Sequence, residues 1–224
     1  MALLYVPSPI PFQPHDPSWR QPLYLHLGPL WNALRDALGQ LRGRVLDIGC
    51  GMQPYRSLLG ANVTEYVGID REGALSRPTV VGTAEALPFP DGSFDAVLST
   101  QVLEHLPDPS RALDEATRVL RVGGTLVLTV PGVWPTHEAP HDYWRFTRHG
   151  VEQLLRDHGI DRADVRPLGG LWAAVGQMAN LELQRRRFAR DLVPVVNVVA
   201  RWLDRHGAAE DLALAWFATG TRTR

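Results

Sequence analysis

Apolar residues along this chain form short continuous runs, which alternate with longer segments where they recur every three or four positions. Short runs that end at glycine, proline or an acidic residue are typical of strands buried on both faces, and the longer spacing is typical of amphipathic helices. The predicted strands are 45–48, 66–70, 80–81, 94–100 and 125–130, and the predicted helices are 23–41, 109–120 and 151–158. This alternation predicts βαβ crossovers and a mainly parallel sheet.

The two ends of the chain have different patterns. Residues 1–20 are interrupted by repeated prolines and are predicted to form an irregular arm. Near the other end, the spacing predicts helices over 169–190 and 192–204, followed by a final strand over 212–219. We find no internal repeat and no low-complexity segment, so a single domain is expected.

The composition excludes some classes of binding partner and of catalytic chemistry. The 224 residues are 45% hydrophobic and 21% charged with a net charge of −1, which is typical of a globular domain and does not favour nucleic acid. Every one of the 23 basic residues is arginine, so lysine chemistry is excluded. The start lacks the basic residues of a signal peptide, and the apolar stretches are too short to cross a bilayer. We therefore expect a cytoplasmic protein without integral membrane association.

A glycine-rich turn follows the first predicted strand, where ligands bind in open parallel sheets. Gly49 and Gly51 lack a Cβ, which allows close approach of the backbone to a ligand. Residues 52–54 contain no third glycine, which a dinucleotide-binding loop requires, and Asp47 would repel a pyrophosphate. The same carboxylate would attract an ammonium group. The turn therefore favours a ligand with an amino-acid moiety over a dinucleotide.

An acidic residue ends the second predicted strand. Asp70 follows Gly51 by nineteen residues, and an acid at that offset accepts hydrogen bonds from both hydroxyls of a ribose. A role as a helix cap or loop acid is the alternative for Asp70. Together the acidic turn and this acid fit adenosine joined to methionine better than NAD.

These features resemble the class I S-adenosylmethionine-dependent methyltransferases, in particular the small-molecule enzymes called methyltransferase type 11. The resemblance covers residues 44 to about 130, and its motifs match in order and spacing. They are 45–51, 68–70, 82–89, 94–95, 103–106 and 119–124. The resemblance implies an α/β fold with a Rossmann-like, doubly wound sheet of about seven strands. Most strands would be parallel, the last antiparallel, with helices on both faces.

The resemblance also implies S-adenosyl-L-methionine as methyl donor, S-adenosyl-L-homocysteine as product, and a set of donor-binding residues. The glycine turn would line the methionine half with Asp47 near its amino group, Asp70 would bind the ribose, and residues 83–85 would border the adenine. The full set is Asp47, Gly49, Cys50, Gly51, Asp70, Arg71, Thr83, Ala84, Glu85, Thr100 and Gln101. Cys50 is better interpreted as a small packing residue than as a nucleophile.

Two positions depart from the family pattern. Relatives usually carry a third small residue where this chain has Gln53 and Pro54, and many carry an acid where Thr83 stands. These departures bear on donor affinity more than on the identity of the donor.

Polar and aromatic residues are concentrated after the fifth predicted strand, over residues 134–146. A methyl transferase aligns a nucleophile with the methyl group, and it needs a general base only when the acceptor is protonated. The candidate catalytic residues are His137, His141, Tyr143 and His105. The structural alternative is that the aromatic residues pack this segment onto the sheet, while its histidines and acids satisfy the backbone.

A metal site within the same segment is a further alternative. His137, Glu138, His141 and Asp142 carry suitable ligand atoms, but Pro135 and Pro140 predict a loop instead of the helix that would bring the two histidines together. No metal is therefore expected.

We interpret residues 1–42 as an N-terminal arm and cap helix, 43–168 as the cofactor-binding core, and 169–224 as late helices plus a final strand. The predicted function is methyl transfer to an oxygen, nitrogen or carbon nucleophile of a small molecule, without a nucleic-acid partner. The alternatives are a non-catalytic S-adenosylmethionine-binding protein and an NAD-dependent oxidoreductase. The sequence leaves the acceptor open, and a homodimer as well.

Overall fold

The computed structural model describes residues 17–73, 76–207 and 212–224, so most of the predicted N-terminal arm lies outside the described residues. The helices are α1 (Tyr24–Leu38), α2 (Pro109–Val119), α3 (Arg148–Asp157), α4 (Leu171–Arg185) and α5 (Val193–His206). The strands are β1 (Gly43–Ile48), β2 (Val63–Asp70), β3 (Val80–Val81), β4 (Phe94–Thr100), β5 (Leu120–Pro131), β6 (Ile160–Leu168) and β7 (Ala215–Arg222).

The strands form one seven-stranded sheet in the order β3-β2-β1-β4-β5-β7-β6. Strands β1 to β5 pair in parallel, whereas β7 pairs antiparallel with both β5 and β6. The Rossmann-like fold with an antiparallel last strand is therefore confirmed. The order reverses between β1 and β4, and this reversal opens a crevice at the carboxyl ends of these strands.

Strand β6 was not predicted, and the limits of some elements differ from the predicted ones. Strand β6 lies at the sheet edge, and polar residues such as Asp161, Arg162 and Asp164 interrupt its apolar positions, so it lacks a continuous apolar run. Strand β7 begins three residues later than predicted, and the helix predicted to reach residue 190 ends at Arg185 in α4.

Alternating side chains of the strands supply apolar clusters on both faces of the sheet. Leu46 of β1 packs in a cluster with Leu113 of α2, whereas the neighbouring Val45 packs in a second cluster with Leu30 and Leu34 of α1. Helix α2 begins at Pro109, where the Asp108 carboxylate accepts a hydrogen bond from the Arg111 amide.

Helices α4 and α5 are joined to the start of α1 through a buried amide network. Asn197 donates hydrogen bonds to the carbonyls of Trp19 and Gln21, at 2.8 and 3.0 Å, and accepts one from Asn180 at 2.7 Å. Asn180 also donates to the Pro22 carbonyl at 3.3 Å. Buried backbone carbonyls need such partners, so this network fixes where the two helices lie.

Helices α4 and α5 also carry exposed apolar side chains. These are Leu171, Trp172, Val175, Val195, Val198, Val199 and Trp202. Within the described ranges, no helix is both long enough and apolar enough to cross a bilayer.

Replacement of Asn197 by alanine is expected to destabilise the fold, because it leaves buried carbonyls without donors. The expected cost is about 3 kcal/mol, and the corresponding decrease in melting temperature for a domain of this size is about 6–12 °C. Arg205→Ala, at an exposed position of α5, is the control. Circular dichroism melting measures both, and equal melting temperatures for Asn197→Ala and wild type would contradict the role of the network.

Candidate functional site

The glycine turn after β1 lies directly at the reversal of strand order. Gly49 has a φ of +67°, and a Cβ at this position would overlap the side chain of Val102, which follows β4. A side chain at residue 49 is therefore excluded by both backbone conformation and space. The absence of a Cβ lets the segment after β4 close over the turn.

A carboxylate from β2 holds the same turn. Asp70 accepts a hydrogen bond from the Gly51 amide through Oδ2 and one from the Arg71 amide through Oδ1, both at 2.7 Å. The half-buried carboxylate thus joins the end of β2 to the turn after β1. Each oxygen keeps a further lone pair, so the carboxylate can still accept from a ligand hydroxyl.

The acid that precedes the turn is buried. Asp47 is 1% exposed, and its Oδ2 accepts a hydrogen bond from the Tyr66 hydroxyl at 2.6 Å. Its Oδ1 is buried without a hydrogen-bond partner among the residues that the structure describes. Burial raises the pKa of Asp47 to about 7, although the bond from Tyr66 opposes this increase. An ammonium group beside Oδ1 would supply the missing donor.

The side chain of Cys50 is buried beside Gly68 of β2. Its exposed fraction is 2%, and a Cβ added to Gly68 would lie 2.8 Å from its sulfur. Burial raises the pKa of the Cys50 thiol to about 12, so the reactive thiolate is not populated near neutral pH. A packing role accounts for this side chain, and only its backbone is available to a ligand.

The segment predicted to border the adenine follows β3. Thr83 is exposed and forms an isolated bridge with Ala86, whereas Ala84 is buried. The Glu85 carbonyl accepts a hydrogen bond from the Arg111 guanidinium at 3.1 Å, which ties this segment to α2.

The end of β4 carries an unusual backbone conformation. Gln101, directly after Thr100, has a φ of +54°, which is uncommon for a residue with a side chain. Its amide groups hold it in place, since the backbone N–H donates to the Thr129 carbonyl at 2.9 Å and Nε2 donates to Thr129 Oγ1 at 3.2 Å. Such strain persists only where neighbouring contacts impose it, and it is frequent at functional sites.

The segment after β5 forms a loop, as its prolines predict, and Arg145 holds it together. The guanidinium donates to both oxygens of Asp142, at 2.7 and 2.8 Å, and to the carbonyls of Trp134 and Pro135, both at 2.8 Å. Burial alone would raise the pKa of Asp142, but the hydrogen bonds from Arg145 and from the His137 amide lower it to about 2. We refer to residues 132–147 as the Arg145 loop.

The Arg145 loop is attached to the segment after β4. The Glu104 carbonyl accepts hydrogen bonds from the amides of Tyr143 and Trp144, at 2.8 and 3.3 Å. The Trp144 indole donates to the Leu106 carbonyl at 2.8 Å. These bonds bring the loop over the short 3-10 helix Leu103–His105.

The four candidate catalytic residues form two pairs where the Arg145 loop meets the segment after β4. His105 and His137 face each other with ring centroids 4.8 Å apart. His141 and Tyr143 form an exposed pair, in which His141 Nδ1 lies 3.2 Å from the Tyr143 hydroxyl.

The sequence analysis did not single out Glu104 as a site residue. Its side chain is fully buried beside His105, and burial raises its pKa to about 8. Burial also lowers the pKa of His137. The dipeptide Glu104-His105 was visible in the sequence, but nothing in the local pattern indicated that the loop after β5 would cover it.

The crevice fits a ligand that carries both an ammonium group and a ribose. Asp47 offers a buried oxygen without a partner, and Asp70 keeps free lone pairs beside a turn that has no side chain at Gly49. A pyrophosphate would instead meet the carboxylate of Asp47, which disfavours a dinucleotide.

Comparisons with known proteins agree with this chemistry. Residues 46–128 match the family model described as a methyltransferase domain. An uncharacterized methyltransferase of Mycobacterium sp. (strain KMS) is 33% identical over 142 residues, which cover 58% of this chain and 56% of the relative. The malonyl-[acyl-carrier protein] O-methyltransferase of Methylococcus capsulatus is 33% identical over 157 residues, which cover 58% of this chain and 57% of the relative.

A solved S-adenosylmethionine-dependent methyltransferase of Thermotoga maritima has a TM-score of 0.59 with this chain. Its sequence identity is 18%, and the match covers 90% of this chain and 93% of that chain, so it shows a common fold. The chain spans about half the length of the curated relatives it matches. Residues 46–128 therefore carry a methyltransferase domain, and the sheet around them has the fold of a solved S-adenosylmethionine-dependent methyltransferase.

Proposed function

We propose that this chain transfers the methyl group of S-adenosylmethionine to an oxygen, nitrogen or carbon nucleophile of a small molecule. The observation that carries this proposal is the crevice between β1 and β4. There, Asp70 holds the Gly51 amide at 2.7 Å and the buried Oδ1 of Asp47 has no hydrogen-bond partner among the described residues.

We assign the donor contacts along the carboxyl ends of the strands. Asp47 would receive the ammonium group, and the backbone of Gly49, Cys50 and Gly51 would line the methionine half. Asp70 and Arg71 would bind the ribose. The adenine would lie against Thr83, Ala84 and Glu85, and Thr100 and Gln101 would border the methionine end.

The sulfonium of the donor supplies an activated methyl group, so the protein needs mainly to orient the acceptor and exclude water. The Arg145 loop suits this task, because it covers the segment after β4 and is itself held rigidly by Asp142. Rigid placement of the loop would keep an acceptor in line with the methyl group.

We assign the removal of an acceptor proton to the exposed pair His141 and Tyr143. His141 Nδ1 and the Tyr143 hydroxyl are 3.2 Å apart and form a hydrogen bond. An acceptor bound in front of this pair would pass its proton to one of the two groups. His105 and His137 would line the acceptor side from the covered face of the loop. A base is dispensable where the acceptor is already deprotonated.

The kind of acceptor and the assembly state are part of the same proposal. The name of the Methylococcus capsulatus relative supports an acceptor other than nucleic acid. The exposed apolar side chains of α4 and α5, Trp202 among them, support a homodimer. A cytoplasmic location stays a prediction of the sequence.

Donor binding is tested by thermal melting with S-adenosylmethionine, S-adenosylhomocysteine and NAD in parallel. Ligand at a hundred times its dissociation constant adds about 2.7 kcal/mol, which increases the melting temperature by about 5–10 °C for this size. We expect both adenosyl compounds to stabilise the wild type and NAD to have no effect. Stabilisation by NAD alone would identify a dinucleotide site instead.

Asp70→Asn tests the ribose contact, because it keeps an oxygen for the Gly51 amide but removes the charge. We expect the affinity for S-adenosylhomocysteine to decrease by about thirtyfold, the value of a charged hydrogen bond. Glu65→Gln, at the exposed beginning of β2, is the matched control. Calorimetric titration measures both variants, and equal weakening in both would show that Asp70 has no specific role.

The pH dependence of binding tests Asp47. Its pKa of about 7 means that this carboxylate is charged mainly above pH 7, where the ammonium group of the ligand is still protonated. The affinity for S-adenosylhomocysteine should increase about eightfold from pH 6 to 7.5. Asp47→Asn should bind more weakly and lose the acidic limb of this profile.

The stability of the unliganded protein should decrease as the pH increases, whereas the affinity for the ligand increases. The folded-state pKa of Asp47 is raised, so its protonated form stabilises the fold at low pH, and this contribution is lost as the pH increases towards 7 and above. Melting temperatures from pH 5 to 8 should therefore decrease more in the wild type than in Asp47→Asn. If the melting temperatures of the two proteins changed equally with pH, the raised pKa of Asp47 would be contradicted.

A further inference from the structure

Three potential metal ligands meet where the Arg145 loop covers the 3-10 helix Leu103–His105. Glu104, His105 and His137 each offer one ligand atom, and these atoms all lie within 4.8 Å of one another. Glu104 and His105 follow β4, whereas His137 follows β5, so the cluster is assembled only by the fold.

The side chain of Glu104 is the most deeply buried of the three. The residue is 0% exposed, and neither side-chain oxygen has a hydrogen-bond partner in the parts of the chain that the structure describes. His105 Nε2 lies 4.0 Å from Oε1, which is too far for a hydrogen bond. Buried polar groups are normally hydrogen-bonded or bound to metals.

The hydrogen bonds of His105 direct its other nitrogen into the cluster. Nδ1 lies 2.7 Å from the His141 carbonyl oxygen, which can only accept, so Nδ1 carries the proton. The neutral ring then has its lone pair on Nε2, the atom that faces Glu104. Histidines that bind metals typically donate their second N–H to a carbonyl in this way.

A carboxylate also lies beside His137. The Nδ1 atom of His137 is 3.3 Å from Asp142 Oδ2 but forms no hydrogen bond among the described residues, and Asp142 is fixed by two hydrogen bonds from Arg145. A small rotation of the imidazole would let Nδ1 donate to this carboxylate, as in carboxylate–histidine–zinc arrangements.

We propose that Glu104, His105 and His137 bind one divalent first-row transition-metal ion, with Zn²⁺ as the representative ion. Two imidazoles and one carboxylate suit such ions, whereas Mg²⁺ prefers oxygen ligands alone. A tetrahedral zinc ion with bonds of about 2.1 Å holds its ligand atoms roughly 3.4 Å apart. Small rotations of the three side chains would bring their ligand atoms to that separation.

A fourth position is available to water or to another side chain. The Oε2 atom of Glu138, an exposed residue, lies 4.0 Å from His105 Nε2. This ligand set differs from the one that the sequence suggested, because Asp142 is held by Arg145 and the ring of His141 faces Tyr143. The proposal concerns these side chains and stands whether or not the chain transfers methyl groups.

The test is calorimetric titration of Zn²⁺ into the full chain, prepared without a polyhistidine tag and treated with a chelator beforehand. We expect one ion per chain with a dissociation constant below about 10 µM, and no comparable binding of Mg²⁺. The absence of Zn²⁺ binding tighter than about 100 µM would overturn the proposal, and so would equal affinity for Mg²⁺.

Two variants locate the ion. His137→Gln and Glu104→Gln should each weaken Zn²⁺ binding by at least about tenfold. His149→Gln is the matched control, since His149 is an exposed histidine 3.0 Å from the carboxylate of Glu152. Unchanged affinity in His137→Gln, or equal losses in all three variants, would show binding at surface histidines and overturn the proposal.

Two further measurements keep the result interpretable. Circular dichroism reports whether Glu104→Gln still folds, and His137→Gln decides the question if it does not, because His137 is only half-buried. Absorption spectra of the Co²⁺-loaded wild type should show visible bands that His137→Gln alters and His149→Gln leaves unchanged. Identical spectra for wild type and His137→Gln would exclude His137 as a ligand.

Discussion

The reversal of strand order between β1 and β4 is the constraint on which the site depends. Connections leave these neighbouring strands in opposite directions, so a crevice forms at their carboxyl ends. Gly49 allows Val102 to lie over the turn, and Asp70 fixes that turn through the Gly51 amide. Substituting either residue would alter the crevice itself, whatever ligand it binds. The donor contacts that we propose and the Arg145 loop are all arranged around this reversal.

A second constraint is the charge pair between Arg145 and Asp142, which organises the loop after β5. The loop has little regular structure, so its carbonyls need donors from side chains, and one guanidinium supplies several of them. The fixed loop then covers Glu104 and brings His137 against His105. Covering Glu104 leaves a buried carboxyl group without a hydrogen-bond partner among the described residues, and we propose that this group binds a metal ion. The same rigidity would orient an acceptor in methyl transfer.

The sequence predicted the parallel part of the sheet well, because strands covered by helices on both faces have continuous apolar runs. It failed for β6, whose place at the sheet edge permits polar residues such as Asp161 and Asp164 within the strand. It also gave no indication of how α4 and α5 attach. Their position depends on Asn180 and Asn197, which reach carbonyls far away in the sequence. Long-range hydrogen bonds of this kind leave no local periodicity.

The residues that we propose for the donor side could be named from the sequence because they follow consecutive strands at characteristic spacings. The glycine turn and Asp70 are local signals, since each is defined by the strand that it ends. The acceptor side was different: His137, His141 and Tyr143 were identified as candidates, but their pairing was not, and Glu104 was missed. Burial and the approach of two loops decided those features. They depend on tertiary packing, which brings Glu104 and His137 together although they are 33 positions apart in the sequence.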